Sequence, residues 1–322
     1  MNVLITGGSG YIGSHTVRAL LERDHSVVVV DRRVPLRPEA TSGATFVIGD
    51  LRDDGLLDRV FATHPVDTVI HIAGDKSVEE SVRNPEQYFR NNVGSTVELL
   101  GAMARAGIGQ IVFSSSSAVY GTPDSPPITE STPTRPENPY GESKLVCERM
   151  LPWFEAAHGV RYLALRYFNA AGAALDARIG EDWTASVNLI PVAIKAAMGL
   201  GPPIQVFGTD YPTPDGTGVR DYIHVLDLAD GHVSGLDYLA AGGPSATLNL
   251  GTGEGTSVRQ LLDMIEEVSG RKVPHRLADR RAGDPSAVWA DNSLARQVLA
   301  WNPRFGLREI VETAWRWHEA SD

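Results

Sequence analysis

The stretch "NVLITGGSGYIGSHT" (2–16) constrains this chain more than any other. A short apolar run passes straight into Gly7, Gly10 and Gly13 and then into a helical pattern. Glycines at that spacing permit a tight turn and a close approach of backbone to a pyrophosphate, which then faces a helix N-terminus and its unpaired N–H groups. A plain loop would not need the strand before it and the helix after it. The same alternation continues. "SVVVVD" (26–31), "TFVIGD" (45–50), "DTVIHIAG" (67–74), "QIVFSSS" (110–116) and "RYLALRYFN" (161–169) read as strands, and 12–23, 54–63, 86–106 and 140–158 as helices. Strands alternating with helices build βαβ units and a parallel, doubly wound sheet. Ligands of such sheets bind at the carboxyl ends of the strands, where the Gly, Asp, Ser and Asn residues of these segments collect.

After Asn169 the pattern loosens. Gly- and Pro-rich pieces within 199–218 surround short apolar runs, and helices follow at 256–268 and 308–319, with no internal repeat and no obvious linker. The expectation is an α/β chain: a doubly wound parallel sheet over 1–170, with segments near 220–250 returning to it, and a smaller, interleaved substrate-binding lobe made mainly of 171–322. A chain of 322 residues is long enough for this.

Charge narrows the ligand. A net charge of −11 argues against nucleic acid or an anionic membrane as partner, yet a few well-placed arginines can hold a small anion within an acidic protein. The single cysteine, Cys147, excludes an internal disulfide framework and reads as a small core residue. The nine histidines show neither HExxH nor tight spacing, so no metal site is expected. The chain begins on its apolar strand with no basic stretch ahead, and no apolar run approaches the length of a membrane span, which reads as cytoplasmic.

Asp31, at the end of the second strand, can accept hydrogen bonds from the adenosine ribose and repels a 2′-phosphate, favouring NAD over NADP. Arg32 and Arg33 follow it and could pair with that phosphate or be solvated loop residues. Asp50 and Leu51 in "GDL" end the third strand, with Asp50 a polar contact toward adenine. In "PYGESK", Tyr140 and Lys144 stand at i and i+4 on one helical face, so the ammonium can stabilise a phenolate and lower the tyrosine pKa. YxxxK alone describes a surface helix equally well. Ser116 at a strand end, together with the nucleotide loop, makes a hydride-transfer site the better reading.

Beyond these motifs, "HIAGDKSVEESV", "NNVGST", "FSSSSAVYG", "LRYFNAAGA", "FGTDYPTPDGTGVRDYIHVLDLADGH" and "RRAGDPSAVWAD" make the chain, from Met1 to about Trp317, similar to the UDP-glucose 4-epimerase branch of the extended short-chain dehydrogenases. The resemblance implies a Rossmann-type sheet and bound NAD. It makes Tyr140 the base that takes the sugar O4 proton, Lys144 the holder of the nicotinamide ribose, and Ser116 a hydrogen-bonding partner of O4. Tyr11, Ile12, Ala73, Gly74, Asn92 and Phe168 join the cofactor set, and Lys76 lies near the pyrophosphate, at the border with the substrate. Asn169, Asn188, Leu189, Arg220, Arg281 and Asp284 hold the UDP part, with Phe207 near uracil. Val288 falls beside the C2 substituent of the hexose, where a bulky tyrosine is associated with refusing N-acetyl sugars. A homodimer through helices of about 141–158 and 88–106 is implied as well. Three features depart from the pattern: Asp75 stands where an apolar residue is usual, Ala170 follows Asn169 where proline is frequent, and the stretch after Asp31 is short.

Rival readings are a 4-epimerase of UDP-glucuronate or a UDP-pentose, a sugar-nucleotide 4,6-dehydratase and a non-catalytic NAD-binding regulator. The dehydratase needs an acid/base carboxylate pair just after the strand-end hydroxyl, and here Ser117, Ala118 and Val119 follow Ser116. A regulator has no use for Tyr140, Lys144 and Ser116 beside UDP-holding arginines.

Overall fold

The structure, a computed structural model, describes residues 1–184, 186–281 and 284–320. In chain order the first half consists of β1 (Asn2–Thr6), α1 (Tyr11–Leu21), β2 (Ser26–Asp31), β3 (Thr45–Ile48), α2 (Leu56–Thr63), β4 (Thr68–His71), α3 (Val78–Arg83) and α4 (Pro85–Tyr88). A π-helical turn (Phe89–Gly94), α5 (Ser95–Ala106), β5 (Gln110–Ser116), α6 (Pro139–His158) and β6 (Arg161–Tyr167) complete it. The second half runs through β7 (Asn169–Ala171), α7 (Leu189–Ala197), β8 (Ile204–Phe207), β9 (Val219–Arg220), β10 (Tyr222–His224), α8 (Val225–Ala240) and β11 (Ala246–Leu250). It ends with β12 (Thr256–Ser257), α9 (Val258–Ser269), β13 (His275–Ala278), β14 (Ala287–Val288), α10 (Ser293–Leu299) and α11 (Leu307–Glu319).

Seven strands form one parallel sheet in the order β3-β2-β1-β4-β5-β6-β11. Its central strands are apolar on both faces, as Val3, Leu4 and Ile5 in β1 illustrate, because helices cover both sides. On one face Val17 and Leu20 of α1 meet Val233 and Leu236 of α8. On the other, Leu57 and Val60 of α2, Leu99 and Met103 of α5 and Leu151 of α6 close over the strands. The strand order reverses between β1 and β4, which opens a crevice at their carboxyl ends. A separate apolar cluster joins α7, α9 and α11 through Ile194, Leu261, Ile265, Ile310 and Trp315.

Several boundaries differ from the periodicity reading, each for a local reason. The strand expected over 45–50 stops at Ile48, since the Asp50 N–H donates to the Asp53 carboxylate and starts a turn. The one expected over 67–74 stops at His71, where the Ile72 and Ala73 amides both bond to the Thr6 carbonyl. The run 161–169 divides at Phe168, whose N–H is taken by the Leu250 carbonyl, and β7 pairs with β10 instead of the large sheet. The helix expected over 86–106 is interrupted by the π-helical turn, where the Ser95 and Thr96 hydroxyls bond back to the carbonyls of Asn91 and Asn92. Among the described residues no helix is long and apolar enough to cross a membrane, and no cluster of His, Cys, Asp or Glu could hold a metal ion.

Candidate active site

The nucleotide end of the crevice is built by glycine. Gly7 has φ 76°, and a Cβ there would lie 2.6 Å from the Ala73 amide nitrogen. At Gly13 a Cβ would strike the Gly7 carbonyl at 2.1 Å. The turn therefore sits tight against β4 and against its own helix, leaving backbone rather than side chains at the crevice floor. Tyr11 anchors the turn by donating to the Gly172 carbonyl at 2.6 Å, and Ile12 packs against the core. The cradle fits a dinucleotide. Asp31 accepts from the backbone of Ser9 at 3.0 Å and of Arg33 at 3.2 Å, which holds its carboxylate at the end of β2.

Two acids near the ends of β3 and β4 have arginine partners. The Asp50 carboxylate is gripped by Arg52, at 2.9 and 2.7 Å, and that pairing lowers its pKa to about 2. Asp50 thus offers a compensated charge, and Leu51 is buried in the core. Arg32 lies 3.5 Å from Asp75, the residue that replaces the usual apolar one. Asp75 also accepts from Gln87 and Asn91, so both acids are taken up by neighbouring donors.

The reacting end rests on β5 and α6. Asn138 caps α6, accepting from the Gly141 amide at 2.9 Å, and Pro139 occupies the first helical position. A Cβ on Gly141 would lie 2.5 Å from the Ala118 carbonyl, so the helix start presses against the turn that follows Ser116. That contact sets Tyr140 close to Ser116, whose hydroxyl accepts from Ala118 N–H and whose nearness to the phenol favours the phenolate. Lys144 is buried, donates to the Ser114 carbonyl at 2.8 Å and stands 5.2 Å over the Phe113 ring. Asn92, buried in the π-helical turn, bridges the Asp75 backbone to Ser143. A Cβ on Gly74 would meet both Asn92, at 3.0 Å, and the Lys144 ammonium, at 3.5 Å. Ala73, Gly74, Asn92, Ser116, Tyr140 and Lys144 thus come together from four elements. A π-helical turn at such a place is a frequent functional feature.

The electrostatics reverse one expectation. Burial pushes the Tyr140 phenol above its ordinary value, and only the Ser116 hydroxyl pulls it back. Burial also lowers the Lys144 pKa, partly offset by Cys147 and Glu148. The ammonium gives one of its three hydrogens to the Ser114 carbonyl, and desolvation dominates both groups.

The third group lies across the crevice. Asn169 donates to the Asp221 carbonyl at 2.9 Å, and Arg220 pairs with Asp284 at 3.1 Å. Val288 is in register with Arg220 across the β9–β14 pair. Arg281 stacks on Phe207 with its guanidinium carbon 4.3 Å from the ring centre. Ala282 and Gly283, within "RRAGD", lie outside the described residues. Leu189 opens α7 and packs partly into the adjoining core. Val288 and Phe168 share a small buried cluster with Tyr120, Ile128 and Leu145. Lys76 reaches Glu181 at 3.0 Å, and so does Asn188 at 2.7 Å. Sequence reasoning missed Glu181, which lies in an irregular stretch with no motif spacing. It also missed Asp221, a buried carboxylate accepting from Thr252, Gly253 and Ala290 and so tying β9 and β14 to the loop after β11.

Comparison with known proteins shows the family of the chain. A family model described as the NAD dependent epimerase/dehydratase family matches residues 3–251. A UDP-glucose 4-epimerase of Halalkalibacterium halodurans is 47% identical over 320 residues, covering 99% of this chain and 96% of the relative. The crystal structure of UDP-glucose-4-epimerase from Stenotrophomonas maltophila with bound NAD and formylated UDP-arabinopyranose has a TM-score of 0.96 at 44% identity, over 100% of this chain and 98% of that one. That of UDP-glucose 4-epimerase from Bifidobacterium longum in complex with NAD+ and UDP has a TM-score of 0.93 at 41% identity, over 99% and 98%. A family match over most of the chain and relatives of matching length lead to one conclusion: the protein belongs to the NAD dependent epimerase/dehydratase family.

Proposed function

We propose that the protein is a UDP-glucose 4-epimerase, interconverting UDP-glucose and UDP-galactose with bound NAD. The observation that carries this reading is the meeting of Ser116, at the end of β5, with Tyr140 and with Lys144 one helical turn on, in a crevice whose other end is the glycine turn. When bound, NAD supplies reversible hydride acceptance, so that a secondary alcohol can pass through a ketone with no net redox change. Gly7, Gly10, Tyr11, Ile12 and Gly13 would line its pyrophosphate, with Lys76 near it at the border with the substrate, Asp31, Asp50 and Leu51 toward adenosine, and Ala73, Gly74, Asn92 and Phe168 along the nicotinamide half.

Each side chain then has a task at a stated atom. Tyr140 as phenolate takes the O4 proton of the hexose and later returns it. Ser116 has one hydroxyl hydrogen to give: turned to the phenolate it favours the charged form against the burial that opposes it, and turned to O4 it helps to hold the sugar. Lys144, held on the Ser114 carbonyl, brings positive charge to the ribose side. Arg220, Arg281, Asn169, Asn188 and Asp284 hold UDP while the hexose turns over, and Phe207, with Arg281 on its face, offers a stacking surface for uracil. We assign the nucleotide work to residues 1–170 with the 220–250 segments, and the UDP-sugar work mainly to 171–322.

Incubating the protein with UDP-glucose and separating UDP-galactose from it tests the reading, and extracted nucleotide identified by mass tests NAD against NADP. No interconversion while NAD is bound would favour the regulator, and turnover of UDP-glucuronate or a UDP-pentose alone would move the assignment to another UDP-sugar. The small Val288 side chain supports a second activity on UDP-N-acetylglucosamine. Phe89, Val97 and Trp153, exposed apolar residues of the π-helical turn, α5 and α6, support a homodimer through those helices. Sedimentation of the wild type and of Trp153→Glu would test it.

A further inference from the structure

Glu181 is buried, 6% exposed, at the edge of the crevice. A carboxylate taken out of water needs donors to compensate it, and one oxygen of Glu181 has three. Its Oε1 accepts from Lys76 Nζ at 3.0 Å, Asn188 Nδ2 at 2.7 Å and Ser186 Oγ at 2.9 Å. The Glu181 carbonyl in turn accepts from the Trp317 indole at 2.9 Å, which ties this point of the loop to α11. The acid is therefore fixed, and its partners take their positions from it.

Both outer partners behave as groups being held. Asn188 is the residue that caps α7, yet its side chain makes no cap bond. Asparagine at that position ordinarily turns its oxygen to the first helical amides, and here the amide is directed to Glu181 instead. Lys76 has a side chain 63% exposed, and an ammonium has three donors, so one bond to Glu181 orients it without consuming it. Its nitrogen also stands 6.0 Å over the Tyr11 ring, beside the glycine turn.

We propose that Glu181 is a positioning residue, presenting Lys76 from the cofactor side and Asn188 from the substrate side to the diphosphate of the nucleotide sugar. The inference rests on the UDP-sugar reading. It makes a prediction of sign that charge alone contradicts. A carboxylate beside a diphosphate repels it, so if charge were all that mattered, removing Glu181 would tighten binding. If position matters, removal weakens it.

The test uses the NAD-loaded enzyme, UDP binding by calorimetry and steady-state turnover of UDP-glucose. Glu181→Ala should weaken UDP binding and raise KM roughly tenfold, with kcat within about threefold, because the interaction lost is made equally in ground and transition states. Glu181→Gln keeps an oxygen acceptor for all three donors and loses only charge, so it should match the wild type or bind more tightly. Glu181→Asp keeps the charge and shortens the reach; it should follow Ala, and it carries the test if Ala does not fold. Lys76→Ala should cost less UDP affinity in the Ala or Asp background than in the wild type, as coupled residues do. Wild-type or tighter UDP binding in Ala and Asp, or strict additivity with Lys76→Ala, overturns the proposal. A wild type that binds UDP with this pattern and does not epimerise would defeat the activity reading while leaving Glu181's role standing. An active wild type with indifferent Glu181 variants would do the reverse.

Discussion

The two sides of the crevice are made differently. On the reacting side, Lys144, Ser143, Asn92 and Ser115 are buried, and beneath them Glu148 and Arg166 form an ion pair exposed by only 7% and 8%. Glu148 also accepts from Ser115, and Arg166 donates to Tyr120. On the facing side Asn169, Asn188 and Arg281 are exposed, and Arg220 and Asp284 are half-buried on two-residue strands and a loop. Chemistry that moves a proton between fixed atoms needs preorganised groups on rigid elements, whereas a diphosphate and a base can be held by more exposed polar groups, Asn188 among them, that take their orientation from neighbours such as Glu181. The difference predicts that substitutions on the first side act on kcat or stability, and on the second on KM.

The sharpest break would come at Tyr140. Tyr140→Phe should reduce kcat by roughly 10²–10⁴-fold, the usual range for a missing general base, while melting temperature and extracted NAD stay at wild-type levels. Turnover near wild type would remove Tyr140 from the chemistry.

Next in size is an acid sensitivity of the buried side. His71 lies beneath the reacting end, bonded to Thr6 and Thr96, and burial, with the Lys144 charge second, lowers its pKa to about 3. The unfolded chain, with a histidine near 6.5, binds the extra proton first, so this contribution is complete above about pH 6.5 and is lost as pH falls toward 3. Between pH 6.5 and 4 the loss from His71 alone is on the order of 3 kcal/mol. Denaturant midpoints at pH 7 and pH 4 should therefore converge more in His71→Gln than in the wild type, and equal pH slopes would show that the ring is not buried neutral.

Smaller, and on the facing side, Arg220→Ala should raise KM for UDP-glucose about 10- to 100-fold, as loss of one charge-assisted hydrogen bond does, with kcat little altered. A fall in kcat at constant KM would erase the contrast between the two sides. The smallest change concerns Val288, which packs against Leu145 and Phe168 where the two sides meet. A tyrosine has no room within that cluster and must turn into the crevice. Val288→Tyr should cut kcat/KM for UDP-N-acetylglucosamine about tenfold relative to UDP-glucose, and an unaltered ratio would show that position 288 does not gate the sugar.

Sequence alone determined the parts whose cause is local. Alternating apolar runs made parallel strands, Gly7 and Gly13 forced the tight turn, and the four-residue spacing put Tyr140 and Lys144 on one face of α6. Tertiary structure decided what those groups face. That Tyr140 is pushed up rather than down depends on how much protein surrounds its hydroxyl. That Arg32 meets Asp75 across 43 residues, and that a π-helical turn inserts Asn92 beneath Gly74, depends on partners that no period of 2 or 3.6 residues encodes. Glu181 reaches Lys76 across 105 residues of chain. Periodicity records which face of an element is buried, while pKa values and polar partners are set by the neighbours that the sheet order brings to that face.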